Sequence, residues 1–183
     1  MRPLIALLVT SLSMALACPS CWCADFGPVS ISIPEGFDGP LGGKKDGAAT
    51  AAWVKHHPDS DGGTLLQVTT YDEGAALKGI TSGQRAEGAK KYLADFIGAV
   101  ARRRDNFKLG AIESQSLGGM PGARVQWTGT IGSVSSIGVM YCVLVDTTGV
   151  SFHTQDTGDE VTAAMKSAMA AIESARILAA SAH

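Results

Sequence analysis

The chain has 183 residues, of which 15 are Lys or Arg and 17 are Asp or Glu, so its formal net charge is −2. A pI near 6.0 and a charged fraction of only 17% exclude the basic surplus that is typical of nucleic-acid-binding proteins. With 45% hydrophobic residues and a mean hydropathy of +0.14, the chain is too apolar to be intrinsically disordered. Its length favours one domain of ordinary size.

The first 17 residues have the features of a secretory signal peptide. A single positive charge, Arg2, precedes an apolar run over residues 4–9 that is too short to span a bilayer. Residues 15–17, Ala-Leu-Ala, have the small-x-small pattern that a signal peptidase needs. We therefore expect residues 1–17 to be removed and the rest of the chain to be exported to the periplasm.

Cys18 directly follows the predicted cleavage site, and two alternatives stay open for it. A small residue before a Cys is part of the bacterial lipobox, and acylation there would anchor the protein to the membrane. The lipobox also has Leu three residues before the Cys and a small residue two before, whereas Ala15 and Leu16 occupy these positions in the reverse order. The other alternative is a Cys without a lipid, within a flexible N-terminal segment over residues 18–28.

The cysteine pattern gives little support to redox or metal chemistry. Cys18, Cys21 and Cys23 form a cluster with one C-x-x-C spacing, which occurs at redox and metal sites. No strand precedes this cluster, no helix start is placed to lower a thiol pKa, and no further ligand follows at zinc spacing. A signal-peptide remnant or a tethering disulfide is the expected role. Cys142 lies in an apolar run and is expected to be an inert core residue.

Strand patterns dominate the first part of the exported chain. Residues 29–33 alternate apolar and polar side chains, which is the pattern of a half-buried strand. The glycine-rich residues 39–47 are expected to be a flexible, turn-rich stretch. Further strands are expected at residues 51–57 and 64–71, which would complete an N-terminal hairpin.

An amphipathic helix is predicted after residue 80. Thr81 and Gln84 fit a capping box, in which each side chain binds a free backbone N–H at the helix start. Apolar side chains then recur at spacings of three and four, at Ala89, Leu93, Phe96, Ile97 and Val100. Three arginines at residues 102–104 end the helix, where cations suit the negative end of the helix dipole. We interpret these arginines as structural rather than as an anion-binding patch.

The next stretch has the pattern of a strand meander. Strands are predicted at residues 111–117 and 123–131, the second with strict alternation of apolar and polar side chains. Gly132 and Ser133 suit a two-residue hairpin. The strand that follows is apolar on both faces near its end, which implies packing layers on both sides of the sheet. A last strand is predicted at residues 150–155.

A second helix is predicted from Thr157, which forms a capping box with Glu160. Its apolar stripe comprises Val161, Met165, Ala168, Met169, Ile172, Ile177 and Leu178. Together these elements predict one α+β domain over residues 29–180, with an antiparallel sheet of about six to seven strands covered by two main helices.

This organisation resembles the DcrB and PsbP-like families of exported or lumenal proteins. The resemblance is carried by Ile-Ser-Ile-Pro-Glu-Gly-Phe at residues 31–37, a long helix from near Ser82, and the Gly-Met-Pro-Gly turn at 119–122 that leads into the strand of Trp127. It covers about residues 29–178 and ends in the closing amphipathic helix. The resemblance implies a PsbP-like α/β/α sandwich and an accessory role in a bacterial envelope or, for the PsbP branch, at photosystem II.

The sequence shows no familiar catalytic motif. It contains no G-x-S-x-G elbow, S-x-x-K, H-E-x-x-H, Walker loop or G-x-G-x-x-G. His153 is a candidate general base, but Ser151 and Gln155 beside it supply no clear nucleophile partner, so a core or surface histidine is the preferred interpretation. We therefore expect no enzyme and no cofactor.

The best candidate for a divalent-metal site is the turn that contains His56, His57, Asp59 and Asp61. Adjacent residues on a strand point to opposite faces, so His56 and His57 would not easily share one ion. The Asp-x-Asp-Gly piece also lacks the later acidic ligands of a calcium loop. A solvated turn is the simpler interpretation of the same residues.

Two functional hypotheses follow from the sequence. The first is a non-enzymatic envelope protein that acts as an accessory or interaction module, with another envelope protein as partner, no nucleic acid, and membrane contact only through lipidation at Cys18. The second is a periplasmic protein that binds a small ligand or a divalent metal, through the turn at residues 56–61 or through a groove between sheet and helix.

Overall fold

Eleven strands and two α-helices form over residues 22–178, the part of the chain that the computed structural model describes. The predicted signal peptide, Cys18 and Cys21 lie outside these residues. In chain order the elements are β1 (Trp22–Phe26), β2 (Val29–Ile33), β3 (Asp38–Lys45), β4 (Ala48–His56), β5 (Gly63–Asp72), α1 (Ser82–Ala101), β6 (Asp105–Leu109), β7 (Glu113–Leu117), β8 (Met120–Ile131), β9 (Val134–Val145), β10 (Thr148–Thr157), α2 (Ala163–Glu173) and β11 (Arg176–Ile177). A short 3-10 helix, Gly74–Leu77, precedes α1.

The strands form one large and one small antiparallel sheet. The large sheet has eight strands in the order β3-β4-β5-β10-β9-β8-β6, with β7 pairing beside β6 along β8. The small sheet has the order β1-β2-β11. The predicted α+β class with an antiparallel sheet and two helices is confirmed, and the large sheet has slightly more strands than the six to seven expected.

The large sheet is covered on both faces, and β9 shows this most clearly. Met140, Cys142 and Leu144 pack under α1, whereas the alternate residues Tyr141 and Val143 pack with α2 and β2. The prediction that this strand is buried on both sides is confirmed. Cys142 is in the core, where burial raises the pKa of its thiol to about 12, so the thiol is inert at neutral pH.

The start of α1 follows the predicted capping box. The backbone N–H of Thr81 donates to Oε1 of Gln84 over 2.8 Å, and the backbone N–H of Gln84 donates to Oγ1 of Thr81 over 3.3 Å. The helix then runs for 20 residues and buries Ala89, Leu93 and Ile97 against the sheet. None of the helices in the described part of the chain is long and apolar enough to cross a membrane.

The predicted start of the second helix at Thr157 is wrong. Thr157 is the last residue of β10, and its Oγ1 accepts the backbone N–H of Gly63 over 3.1 Å instead of capping a helix. The helix begins after Thr162, whose Oγ1 accepts the backbone N–H of Met165 over 3.1 Å. The helix also ends earlier than expected, because Ile177 lies in β11 and pairs with Val29 of β2.

Two segments expected to be flexible contain strands. Residues 22–26 of the predicted flexible segment form β1, which pairs along the whole of β2. Most of the glycine-rich stretch at residues 39–47 belongs to β3, which pairs with β4. Glycine is needed there because a Cβ on Gly42 would lie 2.2 Å from the carbonyl oxygen of Thr50. The strand β6 was not predicted from the sequence.

Gly138 of β9 makes room for the ring of Trp127 on β8, which it faces in the sheet register. A Cβ on Gly138 would lie 2.3 Å from the indole carbons, so Gly138→Ala is expected to displace this buried ring and to lower the free energy of unfolding by about 1–3 kcal/mol. Gly43→Ala is the control, because a Cβ on this strand glycine meets nothing within 4 Å. Urea denaturation would measure both; equal stabilities of the two variants would contradict the expected clash.

Candidate functional site

A groove lies beside α1, where the helix leaves part of the sheet uncovered. The helix packs on β8 and β9, while β10 and β5 extend beyond it towards β4. The space between the second half of α1 and these strands has a volume of about 380 Å³. We call it the α1 groove; it is lined by Leu65, Gln67, Thr69, Tyr71, Phe96, Ala99, Val100, Arg103, Arg104, Met140, Ser151, His153 and Gln155.

The floor of the α1 groove is polar because alternation along two strands places polar residues on this face. Residues 151, 153 and 155 of β10 are Ser, His and Gln, whereas the alternate residues Val150 and Phe152 belong to the core on the other face. On β5, Gln67 and Thr69 line the floor, and the Nε2 of Gln67 donates to Oγ1 of Thr69 over 3.1 Å. Thr69 and Ser151 are only 3% and 6% exposed. The deepest part of the floor is therefore polar.

Arg104 lies at the end of the groove near the end of α1, and its guanidinium is fixed by three contacts. One terminal nitrogen donates to the carbonyl oxygen of Val100 over 3.2 Å, and the other donates to Oε1 of Gln155. The guanidinium carbon lies 4.3 Å above the ring of Trp127, in cation–π geometry. The bond to Val100 agrees with the helix-end role expected from the sequence, but the same side chain also lines the α1 groove, which the sequence interpretation missed.

His153 lies in the floor beside the same tryptophan. It is 8% exposed, and its ring centroid lies 5.8 Å from that of Trp127. Burial first, and then the positive charge of Arg104, lower the pKa of His153 to about 3. The imidazole is therefore neutral at physiological pH. Its Nε2 is buried and has no hydrogen-bond partner among residues 22–178.

The wall of the groove on the α1 side is apolar, and the charge inside the groove is positive. Phe96 stacks on Tyr71 of β5 with ring centroids 4.9 Å apart, and Val100 continues this wall. Arg103 and Arg104 are the charged residues among those that line the groove, and no acidic residue lies among them. Burial, and then the charge of Arg103, lower the pKa of Arg104. Arg104 is therefore a partly buried cation at this end of the groove, and Arg103 is a second, exposed cation beside it.

The four residues of the predicted metal site are not brought together. His56 ends β4, and Asp59 and Asp61 lie exposed in the following turn. Over residues 22–178, no group of three or more His, Cys, Asp or Glu side chains is placed to hold a metal ion. His57 contacts Asp156 instead, with Nε2 2.9 Å from Oδ1. The geometry gives the predicted metal site no support.

Asp156 is the centre of a second polar cluster, on the opposite face of the sheet from the α1 groove. It is 1% exposed, and its Oδ2 accepts the hydroxyl of Thr64 over 2.7 Å and also the hydroxyl of Thr162. The imidazole of His57 approaches the other oxygen in ion-pair geometry, without the alignment of a regular hydrogen bond. These contacts join β5, β10 and the start of α2. We interpret the cluster as structural.

Comparison with known proteins finds similarity at the level of structure. No family model matches the sequence, and no curated protein matches it. The solution structure of cyanobacterial PsbP (CyanoP) from Synechocystis sp. PCC 6803 superposes with a TM-score of 0.60 and 12% identity, over 92% of this chain and 98% of that one.

Two further solved structures are similar. LpqN of Mycobacterium tuberculosis, described as involved in cell envelope biogenesis, has a TM-score of 0.52 and 14% identity, over 82% of this chain and 83% of LpqN. A point mutant of the protein Mog1 has a TM-score of 0.54 and 9% identity, over 87% of this chain and 97% of that one. At these identities the similarity concerns the fold. The PsbP-like resemblance expected from the sequence is confirmed at that level: the chain has the PsbP-like α+β fold.

Proposed function

We propose that this chain is an exported, non-enzymatic accessory protein of the cell envelope that binds a small ligand in the α1 groove. One observation carries the proposal: buried polar side chains and a fixed guanidinium converge on a single concave space of about 380 Å³. Ligand-binding sites typically measure about 300–1,000 Å³ and combine apolar walls with a few well-placed polar groups. The α1 groove has both features and lies at the small end of this range.

Binding without catalysis is favoured by the state of the reactive side chains. An imidazole whose pKa is lowered to about 3 is a weak base at neutral pH, so His153 is poorly suited to activate Ser151. The thiol of Cys142 is in the core beneath α1, with its pKa raised to about 12, so it supplies no nucleophile either. The polar side chains of the groove floor therefore offer hydrogen bonds to a ligand rather than a catalytic group.

The envelope location in this proposal rests on the signal-like sequence at residues 1–17 and on the PsbP-like fold. LpqN, which shares this fold, is described as involved in cell envelope biogenesis. Lipidation at Cys18 and a second envelope protein as partner stay predictions from the sequence.

A blocked groove tests the proposed function. Ala99 and Ala94 are both exposed residues of α1, but Ala99 lines the groove and Ala94 does not. A thermal-shift screen of a metabolite library is expected to find compounds that stabilise the wild type and Ala94→Trp but not Ala99→Trp. At one hundred times Kd, a single-site ligand stabilises the folded protein by about 2.7 kcal/mol, which moves the melting temperature by several degrees.

Two results would contradict the proposal. Either no compound class shifts the melting temperature of the wild type, or the shifts that occur are unchanged in Ala99→Trp. The second result would place the binding site outside the α1 groove.

A further inference from the structure

We propose that the ligand of the α1 groove is a small organic carboxylate, with its charged end at Arg104 and His153 and its apolar part along the α1 wall. This inference rests on the proposed function, since it names the chemical class of a ligand bound in that groove. Three observations lead to it: the sign of the charge in the groove, the buried nitrogen atoms without partners, and the distribution of polar and apolar walls.

The charge in the groove selects an anion. Arg103 and Arg104 line the groove, and no carboxylate side chain lines it to neutralise them. His153 adds no charge, because it is neutral at physiological pH. A cationic ligand would meet the partly buried guanidinium of Arg104, where like charges repel more strongly than in water, with the exposed Arg103 nearby. An anionic ligand would relieve the repulsion between Arg103 and Arg104.

Two side chains that line this end of the groove each have a buried nitrogen atom without a partner within the described chain. The atoms are Nε of Arg104 and Nε2 of His153, and both side chains contact Trp127, whose own Nε1 is also buried without a partner. A buried polar atom without a hydrogen bond is unfavourable and calls for an explanation. Nε of Arg104 is a donor, and a neutral imidazole donates from one ring nitrogen. A carboxylate has two acceptor oxygens, one for each of these donors, with the imidazole proton on Nε2.

The walls limit the rest of the ligand. Phe96 and Val100 on the helix side give the groove an apolar wall, opposite a floor of mostly neutral polar side chains in which Met140 of β9 lies beside His153. Inorganic phosphate would leave that apolar side unused. A volume of about 380 Å³ admits a small molecule rather than a folded partner. A carboxylate on a short aliphatic or aromatic body fits both ends of the groove.

The test compares carboxylates with uncharged and cationic compounds of the same shape. Isothermal titration calorimetry with the full mature protein would use a panel of small carboxylates, among them phenylacetate, each with its neutral amide and the corresponding amine, and inorganic phosphate. Hydrogen bonds to a charged group contribute more than neutral ones, so the best carboxylate is expected to bind about 10-fold or more tightly than its amide. The amine and phosphate are expected not to bind.

A matched pair of arginine variants locates the effect. Arg104→Gln is expected to abolish the preference for carboxylate over amide. Arg102→Gln removes the same charge two residues away, from an exposed side chain that does not line the groove, and is expected to keep the preference. If Arg104→Gln does not fold, the comparison of carboxylate with amide in the wild type still decides the ligand class, and Arg103→Gln at the groove entrance is expected to reduce the preference.

The possible outcomes separate this inference from the proposed function. Amides or amines that bind as tightly as carboxylates, in a manner blocked by Ala99→Trp, would overturn the carboxylate and leave a ligand-binding groove. Binding of phosphate alone would overturn the carboxylate too. Failure of every compound here and in the wider screen would overturn both proposals.

Discussion

Replacement of Asp156 by alanine is expected to lower the free energy of unfolding by about 2–4 kcal/mol, the usual range when buried hydrogen-bonding groups lose their partner. Asp156 is 1% exposed and accepts hydrogen bonds from the hydroxyls of Thr64 and Thr162, while His57 lies against its other oxygen. Without the carboxylate, these hydroxyls lose their acceptor inside the protein. Chemical denaturation followed by circular dichroism would measure the change.

Two further variants make this prediction specific. Asp159→Ala removes an exposed carboxylate three residues away and is expected to change the free energy of unfolding by less than about 0.5 kcal/mol. Asp156→Asn keeps an acceptor oxygen for the threonines but loses the charge beside His57, so an intermediate loss is expected. A loss below about 1 kcal/mol for Asp156→Ala would show that the cluster does not join β5, β10 and α2 as described.

The displaced helix start shows what sequence pattern could and could not predict. Thr157 and Glu160 have the spacing of a capping box, and the sequence contains no local sign that Thr157 is engaged elsewhere. Its hydroxyl is occupied by Gly63, which is 94 residues away in sequence. Thr162, the true cap, is in turn bound to Asp156. At α1 the side chains of Thr81 and Gln84 bind each other's backbone N–H groups, and there the capping box predicted the helix start correctly.

Short-range periodicity predicted the central strands, because they alternate or are apolar throughout. The strands it missed depend on the backbone of the strand with which they pair. The two residues of β11 are held by β2, and the glycines of β3 form a strand because β4 offers its backbone at close range. Neither segment has an apolar pattern of its own, so only the pairing partner makes it a strand.

The same reasoning explains why the α1 groove was found only in part. The alternation of Ser151 and His153 with the apolar Val150 and Phe152 marks a polar strand face in the sequence. The arginines at the end of α1 are also visible there, but a helix-end role accounts for them without a groove. That Arg104 reaches Gln155 depends on the position of α1 over the sheet. The spacing of residues within one helix or strand does not predict a contact between two elements that are far apart in the sequence.

His153 is expected to make the protein acid-sensitive between about pH 6.5 and pH 3. In the unfolded chain this imidazole takes up a proton near its ordinary pKa of 6.5, whereas burial holds its pKa in the folded protein at about 3. Within that window the unfolded state binds more protons, so stability falls as the pH falls. Each unit corresponds to about 1.4 kcal/mol, which gives a loss of about 2 kcal/mol between pH 6.5 and pH 5.

His153→Gln isolates this contribution, because glutamine stays polar and uncharged across the window. Between pH 6.5 and pH 5 the variant is expected to lose about 2 kcal/mol less free energy of unfolding than the wild type. Between pH 7 and pH 8 the free energies of unfolding of the two proteins are expected to change with pH in parallel. His56→Gln removes an exposed histidine and controls for the loss of an imidazole. Urea unfolding at each pH gives the three curves. Parallel curves for wild type and His153→Gln below pH 6.5 would mean that the imidazole takes up a proton in the folded protein as readily as in the unfolded chain, which would contradict the lowered pKa of the buried His153.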